Sequence, residues 1–287
     1  MHLFMHVNST SMTQTSGQGR DRFSIETTAK RVLGPLSWLI HLFKMLPYTG
    51  YQTALRFERD MRAMSRGVDL LEWWSKELHL NLQVEGIENV PVKGPVVLYA
   101  NHPTGLCDGL SVWDAVKHKR PDFKIIMNAH GLDAFPAFKD LLVPVRLNKD
   151  GSSRDAYTMW SRLNGVLSQE NLALMFPAGR LSQLDWFGDW DVHERPWRKG
   201  IQKIARDFPD AALVPVLIEG RVRKHFYILH RLFPALRDLL LYTEFHGKQN
   251  WSYAVRFLPP IEITSAATAQ AYVEGHRRKK WFQLKRP

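Results

Sequence analysis

Hydrophobic and polar positions alternate along this chain in two rhythms. Between Tyr51 and Leu80 the apolar positions recur every three or four residues, at Ala54, Phe57, Met61, Met64, Val68, Leu71, Trp74 and Leu78. That spacing lines them up as one stripe of a helix. Arg56, Arg59, Arg62 and Arg66 fall between them and give the helix a basic reverse side, while Gly67 weakens it in the middle. From about residue 82 the rhythm shortens. Runs at 95–100, 123–127, 142–147, 172–176, 213–218 and 253–258 are short, apolar and rich in β-branched residues, and they read as strands. Helical spacing returns between them. One helix follows Gly109, a second carries Ala156, Trp160, Leu163 and Leu167 on one face, and a third carries Trp197, Ile201, Ile204 and Phe208. Strands alternating with helices predict an α/β domain: a mostly parallel central sheet flanked by helices, with an N-terminal helical extension.

The organisation expected from this pattern has four parts. Residues 1–24 are rich in Ser, Thr and Gln and form a disordered lead. Residues 25–80 form an amphipathic helical region that can touch a membrane. Residues 81–265 form the α/β domain, and residues 266–287 a basic tail with Trp281 and Phe282 among its charges. Val32–Leu46 is apolar but contains Pro35, His41 and Lys44, short of the ~18–20 uninterrupted apolar residues of a spanning helix. It suits either an interfacial helix or one packed on the domain. The lead lacks the basic-then-apolar order of a signal peptide. The expected place is the cytoplasmic side of a membrane, peripheral or interfacially anchored.

Charge narrows the partners. Lys and Arg number 39 against 28 Asp and Glu, a net +11 that calls for an acidic partner: nucleic acid, anionic lipid or an acidic small substrate. Ten Trp and 15 Phe suit a large aromatic core with a minority at a membrane interface. Cys107 is the single cysteine, which excludes an internal disulfide and a multi-cysteine metal site.

Ligands of α/β sheets gather at the carboxyl ends of strands, so the residues that follow each strand are the place to look. After 95–100 comes Asn101-His102-Pro103-Thr104-Gly105-Leu106-Cys107-Asp108-Gly109. A His leaving a buried strand and an Asp at the start of the next helix can meet across one turn. The carboxylate then orients the imidazole as a base, with an incoming hydroxyl as its natural user. After 172–176 comes Pro177-Ala178-Gly179-Arg180-Leu181-Ser182, a tight turn expected to present backbone N–H groups with Arg180 and Ser182 as polar partners. Arg146 stands at the end of the third strand with Asn148 and Lys149 after it, and Glu219, Gly220 and Arg221 follow the fifth. Basic residues at strand ends together suit a phosphate or a phosphopantetheine, although any one of them taken singly reads better as a solvated surface charge. Cys107 reads as a small buried thiol. His118, His130, His193, His225, His230 and His246 show no metal-ligand spacing. Residues 185–191, acidic and aromatic, read as a packed loop or as a lid.

Asn101–Gly109 resembles the first block of the glycerolipid acyltransferase superfamily, the lysophosphatidic-acid acyltransferase group. Phe176–Ser182 resembles its Phe-Pro-Glu-Gly block, Leu142–Arg146 its second block and Val214-Pro215-Val216 its fourth. Lys199-Gly200 also fits, and the order and separations agree over roughly residues 80–225. The resemblance implies that family's fold, with His102 as general base and Asp108 as its partner. It implies that Arg146 binds the acceptor head group, that Phe176, Pro177, Gly179 and Ser182 shape the acceptor pocket, and that Pro215 lies near the acyl chain. With the strand-end reading, the expected acceptor and anion set is Asn101, Arg146, Lys149, Phe176, Pro177, Gly179, Arg180 and Ser182. The implied donor is acyl-CoA or acyl-carrier protein, with no metal, no other cofactor and no covalent intermediate. The implied acceptor is a lysolipid or glycerolipid hydroxyl at an anionic membrane surface.

Two departures stand out. Five residues separate His102 from Asp108 where the common form has four, and Ala178 stands where the family block has glutamate, with Arg180 one place early. The longer His-Pro form with an internal glycine is similar to the haemolysin-like or ornithine-lipid branch. A lyso-ornithine lipid or another lysolipid thus joins lysophosphatidate as an expected acceptor. The alternative function is a non-catalytic lipid-binding protein of the same fold at anionic membranes. Nucleic-acid binding ranks last, since no nucleic-acid module is present.

Overall fold

The computed structural model describes residues 59, 63–129, 132, 136–145, 156–185, 191–223, 226, 244–245 and 247–278. The lead, Val32–Leu46, most of Tyr51–Met64, Arg146, Lys149 and residues 279–287 lie outside the described residues. In chain order the main elements are α1 Gly67–Leu78, β1 Asn81–Glu85, β2 Val96–Ala100, α2 Leu106–Val116, β3 Lys124–Asn128, β4 Leu142–Val145, α3 Ala156–Ser168 and β5 Leu172–Met175. They continue with β6 Gln183–Leu184, β7 Val192–His193, α4 Gly200–Asp207, β8 Ala212–Glu219, β9 Ser252–Phe257 and α5 Ala266–Gly275.

Seven strands form one sheet in the order β1-β9-β8-β2-β5-β3-β4. Every neighbouring pair is parallel except β8 and β9. β2 and β5 are adjacent and buried along their whole length, which is why their sequences are unbroken apolar runs. β2 divides its side chains between the two faces of the sheet. Val96, Leu98 and Ala100 join the core containing Trp74 of α1 and Leu110 and Trp113 of α2. Val97 and Tyr99 join the core containing Leu163 of α3, Ile201 and Ile204 of α4, and Val273 of α5. The mostly parallel sheet flanked by helices is thus the one the pattern predicts.

Three local expectations change. The helix predicted over Tyr51–Leu80 is interrupted: residues 64–66 are not helical, and Arg66 is extended where α1 begins. A Cβ on Gly67 would stand 2.7 Å from Leu141 Cδ1, so the glycine lets α1 start hard against the 3-10 turn Pro136–Asp140 and Leu141. The segment from residue 266, expected as a tail, opens instead with α5, capped by the Ser265 side chain accepting from Thr268 N–H. Ala269 and Val273 of α5 are fully buried in the core, so this part of the chain belongs to the domain. β1 was not anticipated, because it is an edge strand with four of its five residues exposed. Among the described residues no helix is long and apolar enough to cross a membrane.

Candidate active site

β2 runs down the middle of the sheet and delivers His102 two residues past its carboxyl end. α2 starts at Leu106, so Asp108 sits in its first turn. Gly105, just before the helix, has φ 88°, a left-handed backbone that suits glycine and turns the chain back on itself. The result is a contact of 2.9 Å between His102 Nδ1 and Asp108 Oδ2. Asp108 is fully buried. Its Oδ2 also accepts the N–H groups of Thr104 at 2.8 Å and Gly105 at 2.9 Å, and its Oδ1 accepts the Thr104 hydroxyl. A buried carboxylate is tolerated when donors surround it, and here four do.

The network extends inward. Tyr253 of β9 donates to Thr104 Oγ1 at 3.1 Å and accepts from Lys248 Nζ at 2.8 Å. Lys248 also donates to the Arg221 carbonyl at 3.1 Å. Burial holds the Lys248 ammonium below the usual lysine range and pushes the Tyr253 phenol well up. Cys107 faces the same interior, and burial raises its thiol to about 11, which makes it a poor nucleophile.

Phe176 leaves β5 beside His102, and the two rings stack at 4.0 Å with 18° between planes. Phe176 to Gly179 form a tight turn closed by Gly179 N–H to the Phe176 carbonyl at 2.9 Å, with Gly179 at φ 65°. Ser182 N–H donates to the His102 carbonyl at 2.9 Å. The amides of Gly179 and Ser182, expected to face a ligand, are therefore taken up inside the protein. Arg198 braces the outer side of the turn, its N–H on the Pro177 carbonyl and its Nε on the Ala178 carbonyl.

With one imidazole nitrogen on Asp108, Nε2 is the nitrogen left for a substrate. His102 lies in the wall of a groove of about 1510 Å³. Apolar side chains dominate its lining, among them Ile126, Met127, Met159, Trp160, Met175 and Leu213. Arg198, Lys199, Lys203 and Arg206 line the α4 side. Lys203 Nζ lies 3.8 Å from the centroid of the Trp160 ring.

Of the expected acceptor and anion set, the structure brings Phe176, Pro177 and Gly179 to this groove with His102. It turns others away. The Asn101 side chain pairs with the backbone of Ile218, accepting at 2.7 Å and donating at 2.9 Å, and so extends the β2–β8 ladder. The Ser182 hydroxyl donates to Glu194. Arg180 is exposed and does not line the groove. Pro215 sits inside β8 opposite Tyr99, also away from the groove lining. Arg146 and Lys149 lie outside the described residues.

Glu194, at the end of β7, was missed. Its Oε2 accepts the His102 backbone N–H at 3.0 Å together with the Ser182 hydroxyl, and its Oε1 accepts Trp197 Nε1 at 3.3 Å. Burial pushes its carboxyl up to about 7. The one sequence signal was position, midway between the Phe176–Ser182 block and Lys199-Gly200.

A sheet that places a histidine–carboxylate pair in the wall of an open, largely apolar groove defines a structural class. Within that class, residues 81–219 match the model of the acyltransferase family. A lyso-glycine lipid O-acyltransferase of Phocaeicola vulgatus is 31% identical over 178 residues, covering 59% of this chain and 58% of that protein, less than two thirds of its length. A protein of the same description from Bacteroides thetaiotaomicron is 29% identical over 209 residues, 68% of this chain and 71% of the relative. The crystal structure of PlsC, the 1-acyl-sn-glycerophosphate acyltransferase of Thermotoga maritima, aligns with a TM-score of 0.43 and 15% identity over 88% of this chain and 90% of that one, a likeness too distant to bear on the site. Residues 81–219, just under half of the chain, are thus similar to an acyltransferase domain, and both relatives are described as lyso-glycine lipid O-acyltransferases.

Proposed function

We propose that the protein moves a fatty acyl group from an acyl thioester onto the hydroxyl of a lysolipid, with His102 as general base. One observation carries this reading: the His102 Nδ1–Asp108 Oδ2 contact of 2.9 Å in the wall of a large apolar groove. Nδ1–H donates to Asp108, which fixes the tautomer and leaves the Nε2 lone pair for the substrate. Nε2 takes the hydroxyl proton as the oxygen attacks the thioester carbonyl carbon. The tetrahedral intermediate collapses, the carbon–sulfur bond breaks, and the imidazolium returns its proton to the departing thiolate. The products are an ester and a free thiol, with no covalent acyl-enzyme and no cofactor beyond the donor. The donor is acyl-CoA or acyl-carrier protein.

The relatives are described as acting on lyso-glycine lipid, which makes an amino-acid-headed lysolipid the first acceptor to try and lysophosphatidate the comparison. The alternative of a non-catalytic lipid-binding protein rests on the longer His–Asp spacing and on Ala178, and it calls for a separated His and Asp, which here lie 2.9 Å apart. The test is a donor and acceptor screen with the purified full chain and its His102→Ala variant. Transfer by the native protein should fall on the order of 10²–10⁴-fold in the variant with the fold intact by circular dichroism. A folded His102→Ala protein that transfers at the native rate would remove His102 from the chemistry.

A further inference from the structure

Glu194 takes no part in the proton transfer, yet its carboxylate sits directly behind the main chain of His102. The His102 N–H donates to Glu194 Oε2 at 3.0 Å, and the His102 carbonyl accepts from Ser182 N–H at 2.9 Å. Both main-chain polar groups of the imidazole's own residue are thus held by Glu194 and Ser182, which also bond each other. The third donor, Trp197 Nε1, belongs to a ring set edge-on against Tyr99 in β2, 5.8 Å between centroids. A carboxylate out of water is costly unless donors surround it, and Glu194 has three. Ala178, where the resemblance would place a glutamate, is 2% exposed and offers no carboxylate. The chain brings one to the same loop from β7 instead.

We propose that Glu194 is a positioning residue for the acyl transfer: with Ser182 it clamps the His102 main chain so that the imidazole stays on Asp108 with Nε2 toward the groove. This rests on the reading of His102 given above. The clamp has a definite chemistry. An ionised Glu194 accepts from all three donors. A protonated one must itself donate, and of its three partners only the Ser182 oxygen can accept. The titratable and charged groups around it are the His102 imidazole, Glu274 of α5, whose Oε1 accepts the Glu194 N–H at 3.2 Å, and Glu219 and Arg277 in the small hollow beside it. Arg277 is itself paired with Asp191.

The test uses Glu194→Gln in the full chain, assayed with palmitoyl-CoA and lyso-glycine lipid in detergent micelles. Glutamine keeps the shape, but with its oxygen in the Oε2 place it holds the His102 N–H and the Ser182 hydroxyl only by setting its NH2 against the Trp197 N–H, which pushes the side chain off the clamp. The expected result is a kcat lower by about 10²-fold, the scale of a small misplacement at a reacting group, with both KM values within about twofold of native. The acid limb of kcat against pH should also become shallower, because the Glu194 carboxyl no longer contributes to it. Ser182→Ala keeps the carboxylate and should show a smaller loss of the same kind, and the double variant should be no worse than Glu194→Gln alone. Carbethoxylation of His102 by diethyl pyrocarbonate, followed by peptide mass, reads the clamp without turnover and should run several-fold faster in Glu194→Gln. If the native chain transfers nothing to lyso-glycine lipid, the acceptor assignment fails while the modification rate still decides on the clamp. A folded Glu194→Gln protein with native kcat and acid limb, or with native His102 reactivity, overturns the proposal. So does a loss in both variants confined to thermal stability and soluble yield.

Discussion

Asp108 accepts from four donors, and that number governs what its replacement does. In Asp108→Asn one oxygen becomes an NH2 group. If the amide oxygen takes the Oδ2 place it keeps His102 Nδ1, Thr104 N–H and Gly105 N–H, and the NH2 then meets the Thr104 hydroxyl, which must turn away from it. In either orientation the imidazole loses a charged partner for the imidazolium that the proposed transfer forms. The expected outcome is a kcat lower by roughly 10³–10⁴-fold, as when a triad aspartate becomes asparagine. Steady-state kinetics on a variant with native circular dichroism checks it, and a kcat within a factor of a few of native would contradict it. His102 and Asp108 were legible in the sequence because they meet across one local turn. Glu194, Tyr253 and Lys248 were not: Glu194 is 92 residues from His102, and Tyr253 is 149 from Thr104. Ser182 shows the limit of reading a block alone. The resemblance implied a lining role for it, whereas its hydroxyl faces Glu194, a residue outside the block.

At the scale of elements, legibility followed burial. Each of the six expected strands exists, with observed ends no more than two residues from the expected ones, because strands covered on one or both faces announce themselves as apolar runs. β1 sits at the sheet edge and is mostly polar, so its pairing with β9 supplies a signal that its own composition lacks. α1 fails in the other direction. The apolar stripe runs through residues 64–66, but the chain breaks there to lay Gly67 against Leu141, a tertiary demand that periodicity does not record. This gives Gly67→Ala a definite sign. In an exposed helix the change stabilises. Here the added methyl would stand 2.7 Å from Leu141 Cδ1 and 3.1 Å from the Ala137 carbonyl oxygen. Overpacking of this kind costs about 1–3 kcal/mol. A urea midpoint lower than native by that amount is expected, and a higher midpoint would show that the contact relaxes freely.

At the scale of the molecule, the sheet order explains why the site lies where it does. β2 stands between β5 and β8, so the loops carrying His102 and Phe176 leave neighbouring strands at the same end. The β6–β7 ribbon then folds over that end and brings Glu194 against it. One consequence reaches the stability of the whole domain. Burial raises the Glu194 carboxyl from 4.5 to about 7, so the folded state holds this proton more tightly than the unfolded chain. The resulting stabilisation is complete below the unfolded value and is lost as pH rises through the folded one. Carboxylates held low by ion pairs, such as Asp122 against Arg120, act with the opposite sign, so the total pH dependence mixes several groups. Glu194→Gln isolates the one of interest. Between about pH 5 and pH 8 the native protein should lose stability relative to this variant by an amount on the order of 2 kcal/mol, most of the equivalent of the shift. Urea unfolding of both proteins at the two pH values measures it. Parallel curves would mean that Glu194 reaches solvent in the folded state, and the buried contact behind His102 would then not exist in solution.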